Sequence, residues 1–216
     1  AFASAGSTGA MMVGAVSVIK VIPGIIRPCL TTSIPKLTSD KYTTLLDIGL
    51  NSDCRPDVLC QYGILGSLFS KYYHCIENPR VHLLNIGSEP KKGNLLTQAA
   101  YELMKDCGEF NFCGNIEGNE LYDDKSDVIV SDGFTGNIVL KQIEAMYKIA
   151  KKLKIDNQFF EYFNYENHGG TPVLGVDAPI IIGHGASSAK AIKNMVLQTE
   201  KLASSNLTEK IKKAFQ

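Results

Sequence analysis

The chain has 216 residues and as many acidic as basic side chains, giving a formal net charge of +0. No global field therefore recruits nucleic acid or an anionic membrane, and an electrostatic partner needs a local patch. Hydrophobic content of 44% and charged content of 20% suit a globular chain able to bury a large core without staples.

In chain order, "AFASAGSTGA" reads as the end of a strand entering a helix over Thr8–Ile22, stopped by Pro23-Gly24. A domain seldom opens at such a point, so an N-terminal portion is expected to precede it. Strands are predicted at "CLTTSI" (29–34) and "TTLLDIG" (43–49), then a helix over Pro56–Tyr73 with Pro56 in its first turn. Next come "VHLLNIG" (81–87), a helix over Gly93–Cys107, "FNFCGNI" (110–116) and "DVIVSDG" (127–133). A helix over Thr135–Leu153, the strand "PIIIGHG" (179–185) and a helix over Ser187–Ser204 follow. The tail "LTEKIKKAFQ" suggests a short amphipathic helix, and residues 142–168, aromatic-rich in their second half, an excursion from the core. Near-continuous apolar strands alternating with helices predict a single α/β domain over 1–216, its mostly parallel sheet covered on both faces.

Cys29, Cys54, Cys60, Cys75, Cys107 and Cys113 form no C-x-x-C pair and no zinc spacing, so reduced thiols and no metal are expected. No apolar run approaches the ~20 residues of a membrane span. P-loop, G-x-G-x-x-G and G-x-S-x-G patterns are absent.

Polar groups beside glycines recur where the strands end, the usual ligand side of an open α/β sheet. They comprise Asp47 and Asn51; Asn85, Gly87, Glu89, Lys92 and Asn94; Asn115; Asp132, Gly133, Gly136 and Asn137; and His184, Gly185, Ser187 and Lys190. Any single one is explained by a turn or a helix cap. Repeated at five strand ends, they predict one crevice. Helix starts at Ser4–Gly9, after Asp132 and after His184 are candidate anion sites.

The segments "SAGSTGA", "LLDIGLNSDCRPDVL", "LLNIGSEPKKGN", "FCGNIEG", "SDGFTGNIVLK", "HGGTPVLGV" and "HGASSAKAIKNMV" resemble, in the same order, the PlsX family of bacterial phosphate acyltransferases. The resemblance implies a Rossmann-like three-layer α/β/α sandwich, similar to phosphotransacetylase and isocitrate dehydrogenase. It implies acyl transfer from acyl carrier protein to inorganic phosphate, giving acyl phosphate for phospholipid synthesis. It also implies a cytoplasmic homodimer that uses no cofactor, contacts the membrane peripherally and binds no nucleic acid. The family usually has Asn at Ser7, Ala at Leu50, Tyr at His168 and Asp at Ser188.

Within this frame, phosphate is expected at the amides of Ser7, Thr8 and Gly9 and the hydroxyls of Ser4, Ser7 and Thr8, with Lys92 and Lys190 balancing its charge. Asn85, Asn115 and Asn137 are candidate donors to the thioester oxygen, and His184 a candidate acid for the leaving thiolate. Asp47 and Asp132 are expected to orient these groups, and Asn51, Gly87, Glu89, Asn94, Gly133, Gly136, Gly170, Gly185 and Ser187 to line the substrate. "KIAKKLK" (148–154) is a candidate dock for the acidic carrier protein. The alternatives are a phosphotransacylase using coenzyme A and a non-catalytic relative that only binds carrier protein or membrane.

Overall fold

The computed structural model describes all residues, Ala1–Gln216. The chain divides into two compact units, Thr31–Ile138 and the pairing of Ala1–Leu30 with Val139–Gln216.

In the Thr31–Ile138 unit, strand β3 (Tyr42–Leu46) pairs in parallel with β6 (Val128–Val130), β6 with β4 (Arg80–Leu84), and β4 with β5 (Asn111–Ile116). The Thr31–Pro35 part of β2 (Cys29–Pro35) runs antiparallel to β3. Leu45, Leu46, Val81, Leu83, Val128, Ile129 and Val130 are completely buried, which explains why these strands read as continuous apolar runs. Helix α2 (Pro56–Tyr73) lies on this sheet, and helix α3 (Leu95–Asp106) packs beside it. Gly66 lets α2 approach closely: a Cβ there would stand 2.5 Å from Val128 Cγ1.

The amino ends of these strands carry a buried ion cluster that sequence reading missed. Lys36 Nζ, fully buried, donates to Asp124 Oδ1 at 2.6 Å and Asp127 Oδ1 at 2.7 Å. Arg80 Nε donates to Asp127 Oδ2 at 2.9 Å, and its guanidinium also reaches Asp124. These cations hold the Asp127 carboxyl far below its ordinary range despite its burial. Beside them, buried His82 pairs through Nδ1 with Ser126 Oγ at 3.1 Å. Desolvation, reinforced by Lys125 and Arg80, pushes its pKa down to about 4.

In the other unit, β1 (Phe2–Ser4) pairs in parallel with β8 (Ile180–Gly183), and β7 (Gly170–Leu174) runs antiparallel to both β8 and the Cys29–Leu30 end of β2. Helix α7 (Ala189–Ser204) packs on β1, β7 and β8. Helix α8 (Leu207–Ala214) buries Leu207 and Ile211, and Lys212 Nζ meets Asp177 at 2.5 Å. The predicted first helix is shorter than expected: α1 (Thr8–Gly14) gives way to a π-helical stretch, Ala15–Ile19, that ends at Lys20 with φ 81°.

Helix α4 (Gly133–Lys152) runs from one unit into the other. The aromatic-rich stretch after it forms two single-turn helices, α5 (Gln158–Glu161) and α6 (Tyr165–His168). Sequence reading missed β7, because Gly170 and Pro172 interrupt its apolar pattern. Within each unit, strand pairing is parallel except where β2 or β7 takes part.

Candidate functional site

In the Thr31–Ile138 unit, the carboxyl ends of β3, β6, β4 and β5 lie in that order along one edge. Asp47, directly after β3, is completely buried. Its Oδ1 accepts from the N–H groups of Gly49 and Leu50 at 3.2 Å each. Its Oδ2 accepts from Asn51 N at 2.7 Å and Asn51 Nδ2 at 2.9 Å. Asn51 Nδ2 also donates to Tyr62 Oη of α2 at 2.8 Å. Asp47 thus folds the 47–51 loop around its carboxylate. Position 50 contributes its N–H to this network, which Leu and Ala supply alike.

Helix α4 begins against that loop. Gly133 N donates to Asn51 O at 2.8 Å, and a Cβ on Gly133 would lie 2.7 Å from Asn51 N. A Cβ on Gly136 would collide with Asp47 O. These glycines admit protein backbone, where sequence reading assigned them to substrate approach. Asp132 caps α4: Oδ1 accepts from Thr135 N at 2.8 Å and Oδ2 from Thr135 Oγ1 at 2.9 Å. A capping carboxylate repels a second anion at this helix start. Asn137 of α4 is exposed, and its side chain lies over Gly49 without a hydrogen bond to the chain.

Two asparagines fasten the 86–93 loop. Asn85 Nδ2 donates to Lys92 O at 3.0 Å and its Oδ1 accepts from Ile86 N at 2.9 Å. Asn115 Nδ2 donates to Glu89 O at 2.8 Å, while its buried Oδ1 has no partner. Both amides therefore build the loop. Asn94 caps α3, accepting from Thr97 N at 2.9 Å. A Cβ on Gly87 would meet Lys92 Cγ at 2.8 Å, so Gly87 makes room for the lysine stem. Lys92 is half-exposed, and its Nζ stands 3.9 Å from Glu89 Oε1. Such a solvated pair holds the ammonium only weakly.

In the other unit, the parallel pairing of β1 with β8 sets their following loops side by side. A Cβ on Gly183 would lie 3.4 Å from Ala5 Cβ. Ser4 Oγ accepts from Gly6 N at 3.1 Å. Ser7 precedes α1 without a side-chain cap, and Gly9 faces open space. Across this gap stand His184, Gly185 and Ser187, with exposed Lys190 in the first turn of α7. His184 Nδ1 accepts from Ala186 N at 3.1 Å, and its carbonyl accepts from Ser187 Oγ at 2.6 Å. Gly185 also has open space where a Cβ would be. Ser188 caps α7 through Ala191 N at 3.3 Å, an ordinary structural role. Gly170 packs against Ile181 and Ile182 of β8. His168 is tied to Tyr162 O.

The predicted residues thus form two clusters, one in each unit. Sequence reading missed Tyr165, whose ring lies 4.9 Å from that of His184 and is tilted by 36°. No periodicity or motif links two residues so far apart in the chain. No group of three or more His, Cys, Asp or Glu side chains is arranged to hold a metal ion.

The model of the family described as fatty acid synthesis protein matches residues 1–210. The chain belongs to that family. The phosphate acyltransferase of Bacillus subtilis (strain 168) is 38% identical over 94% of this chain and 67% of its own length. That of Staphylococcus haemolyticus (strain JCSC1435) is 39% identical over 91% of this chain and 66% of its own length. The chain therefore spans about two thirds of the length of these family members. Among solved structures, a phosphotransacetylase from Streptococcus pyogenes superimposes with a TM-score of 0.61 at 18% identity, covering 94% of this chain and 61% of that one. A branched-chain phosphotransacylase from Enterococcus faecalis V583 gives 0.59 at 13%, covering 92% of this chain and 71% of that one. This likeness establishes the fold class, the three-layer α/β sandwich expected from the sequence.

Proposed function

We propose that the chain carries residues for acyl transfer from a thioester to inorganic phosphate, with acyl carrier protein as the donor. The observation that carries this reading is the pair of adjacent loops after β1 and β8. They offer the hydroxyls of Ser4, Ser7 and Thr8, helix-start amides and an imidazole, with Lys190 close in sequence. This donor set suits a phosphate. Membership of a family that includes phosphate acyltransferases supports the same reading.

Phosphate is a modest nucleophile and needs to be held in line with the thioester carbonyl. Ser7, Thr8 and Gly9 would hold it through amides and hydroxyls, and positioning of this kind is worth several kcal/mol. Attack forms the O–C bond and an oxyanion, and collapse expels the thiolate. A donor aimed at that oxyanion is worth about 3 kcal/mol. His184 would protonate the thiolate, and Lys190 would balance charge. Asn85 and Asn115, spent on loop carbonyls, act by shaping the loop. Pairing of two chains and peripheral membrane contact belong to the same proposal.

The test is thiol release from acyl carrier protein with and without phosphate, trapping acyl phosphate with hydroxylamine. Phosphate-dependent release with trapped product is expected. Equal release without phosphate would make the activity a thioesterase and sink the reading. Running acyl-coenzyme A in parallel decides the donor, and faster turnover of the coenzyme A thioester would transfer the assignment to a phosphotransacylase.

A further inference from the structure

We infer that Tyr165 is a positioning residue for His184, locking its imidazole as an Nε2–H donor. The inference rests on the proposed role of His184. A backbone N–H only donates, so the 3.1 Å contact from Ala186 N places a lone pair on His184 Nδ1. In the neutral ring the proton then sits on Nε2. That state presents a donor to a ligand, which suits an anionic oxygen or a departing thiolate and not deprotonation of an incoming group.

Ring orientation needs a second constraint, because His184 is solvent-exposed and one hydrogen bond leaves it free to swing. Tyr165 supplies it. Its ring lies 4.9 Å from the imidazole at 36°, and its hydroxyl donates to Ala186 O at 3.3 Å. Ala186 is thus held at both its N–H and its carbonyl, by two rings that lie against each other. Ser187 closes the turn by donating through N at 2.9 Å and Oγ at 2.6 Å to His184 O.

The support beneath Tyr165 is equally specific. Asn164, mostly buried, caps α6 by accepting from Glu166 N at 3.1 Å. Asn194 Nδ2 of α7 donates to Glu166 O at 2.7 Å. Gly169 ends α6 at φ 85°, where a Cβ would collide with Met195 N. These contacts fasten α6 to α7, so Tyr165 is held by the same helix that His184 precedes.

The experiment labels histidines with ¹⁵N and reads the His184 tautomer by long-range ¹H–¹⁵N correlation in the wild-type chain, Tyr165→Phe and Tyr165→Ala. His184→Gln identifies the signal. Phosphate-dependent thiol release is measured on the same samples. A dominant Nε2–H tautomer is expected in the wild type and in Tyr165→Phe. Tyr165→Ala should show a mixed tautomer and a turnover number lower by about tenfold, with KM for phosphate little changed. An unchanged tautomer in Tyr165→Ala overturns the inference, as does a shifted tautomer with unchanged turnover in an active chain. If the wild type shows no phosphate-dependent release, the proposed function falls, and the tautomer measurement alone still decides the role of Tyr165. An unchanged thermal midpoint separates loss of positioning from unfolding, and Tyr165→Leu, which keeps apolar bulk without a ring, replaces Tyr165→Ala if that variant melts early.

Discussion

Asp47 organises its loop from a completely buried position, with four donor contacts on two oxygens. Removing the acceptor strands several partly buried N–H groups at once, and a fully buried one costs roughly 1–3 kcal/mol. Asp47→Ala is therefore expected to lose about 3 kcal/mol of stability, and Asp47→Asn a smaller amount, measured from urea midpoints at constant slope. Equal midpoints for the wild type and Asp47→Ala would show that the loop finds other partners. The same scale explains why strand-end asparagines could not be ranked from sequence. Asn85, Asn115 and Asn137 share one letter and each reads as a polar residue near a strand end, yet two staple the loop beside them and the third stays exposed on α4. Whether an amide is already spent depends on where a carbonyl several residues away comes to rest. Nothing local in the chain encodes that.

Glycines sort the elements in a way that spacing alone does not. Gly133 and Gly136 let α4 start against the backbone of the 47–51 loop, whereas Gly9 and Gly185 border open space. Gly136→Ala pushes a methyl group into Asp47 O and is expected to cost about 1–3 kcal/mol, as other overpacked sites do. Gly9→Ala adds no clash within α1 and should be neutral or stabilise by roughly 0.5–1 kcal/mol, because alanine favours helix. Thermal unfolding of the two variants side by side checks this, and equal losses would contradict the packing described. Elements with long, uniform patterns were the legible ones: α2, α3, α4, α7 and strands β3, β4 and β8 match expectation to within a few residues. Strand β7 was not, because glycine and proline break its pattern while partners on both sides still pair with it. Residues Ala15–Ile19 read as ordinary helix, since a π-helical stretch only lengthens each hydrogen-bonded span by one residue and leaves no compositional mark.

At the scale of the whole molecule, the chemistry sought at the carboxyl ends of the strands has a structural counterpart at the amino ends. Lys36, Arg80, Asp124 and Asp127 bring two cations and two carboxylates together with their charges balanced. Breaking such a buried pair costs about 3–5 kcal/mol, so Asp127→Ala should be severely destabilised. Acid should act on the same region in two steps. Unfolded histidine takes up a proton near pH 6.5, but native His82, facing Lys125, Arg80, Glu120 and Asp127, resists until about 4. Acid therefore favours the unfolded chain, and this contribution is complete above pH 6.5 and lost as pH falls to about 4. The contribution of Asp127, whose native value is depressed, is present above its ordinary value of 3.8 and lost at lower pH. Urea midpoints across this range should decline in the wild type and flatten over the upper window in His82→Gln. An identical slope in both would remove His82 from the account. The cluster escaped sequence reading because its members lie on three separate segments, each with an ordinary charge at an ordinary strand boundary.

The fastening of the 86–93 loop bears on how this chain could be rebuilt. Its shape is dictated from below, by Asn85 just after β4 and Asn115 in β5, which grip the carbonyls of Lys92 and Glu89. The exposed side chains of Ser88, Pro90 and Lys91 have no part in that grip. They form a replaceable outer surface over a fixed frame. A library confined to them would vary what the loop presents without redrawing its path, which makes this a natural place to install a reporter or a new recognition element.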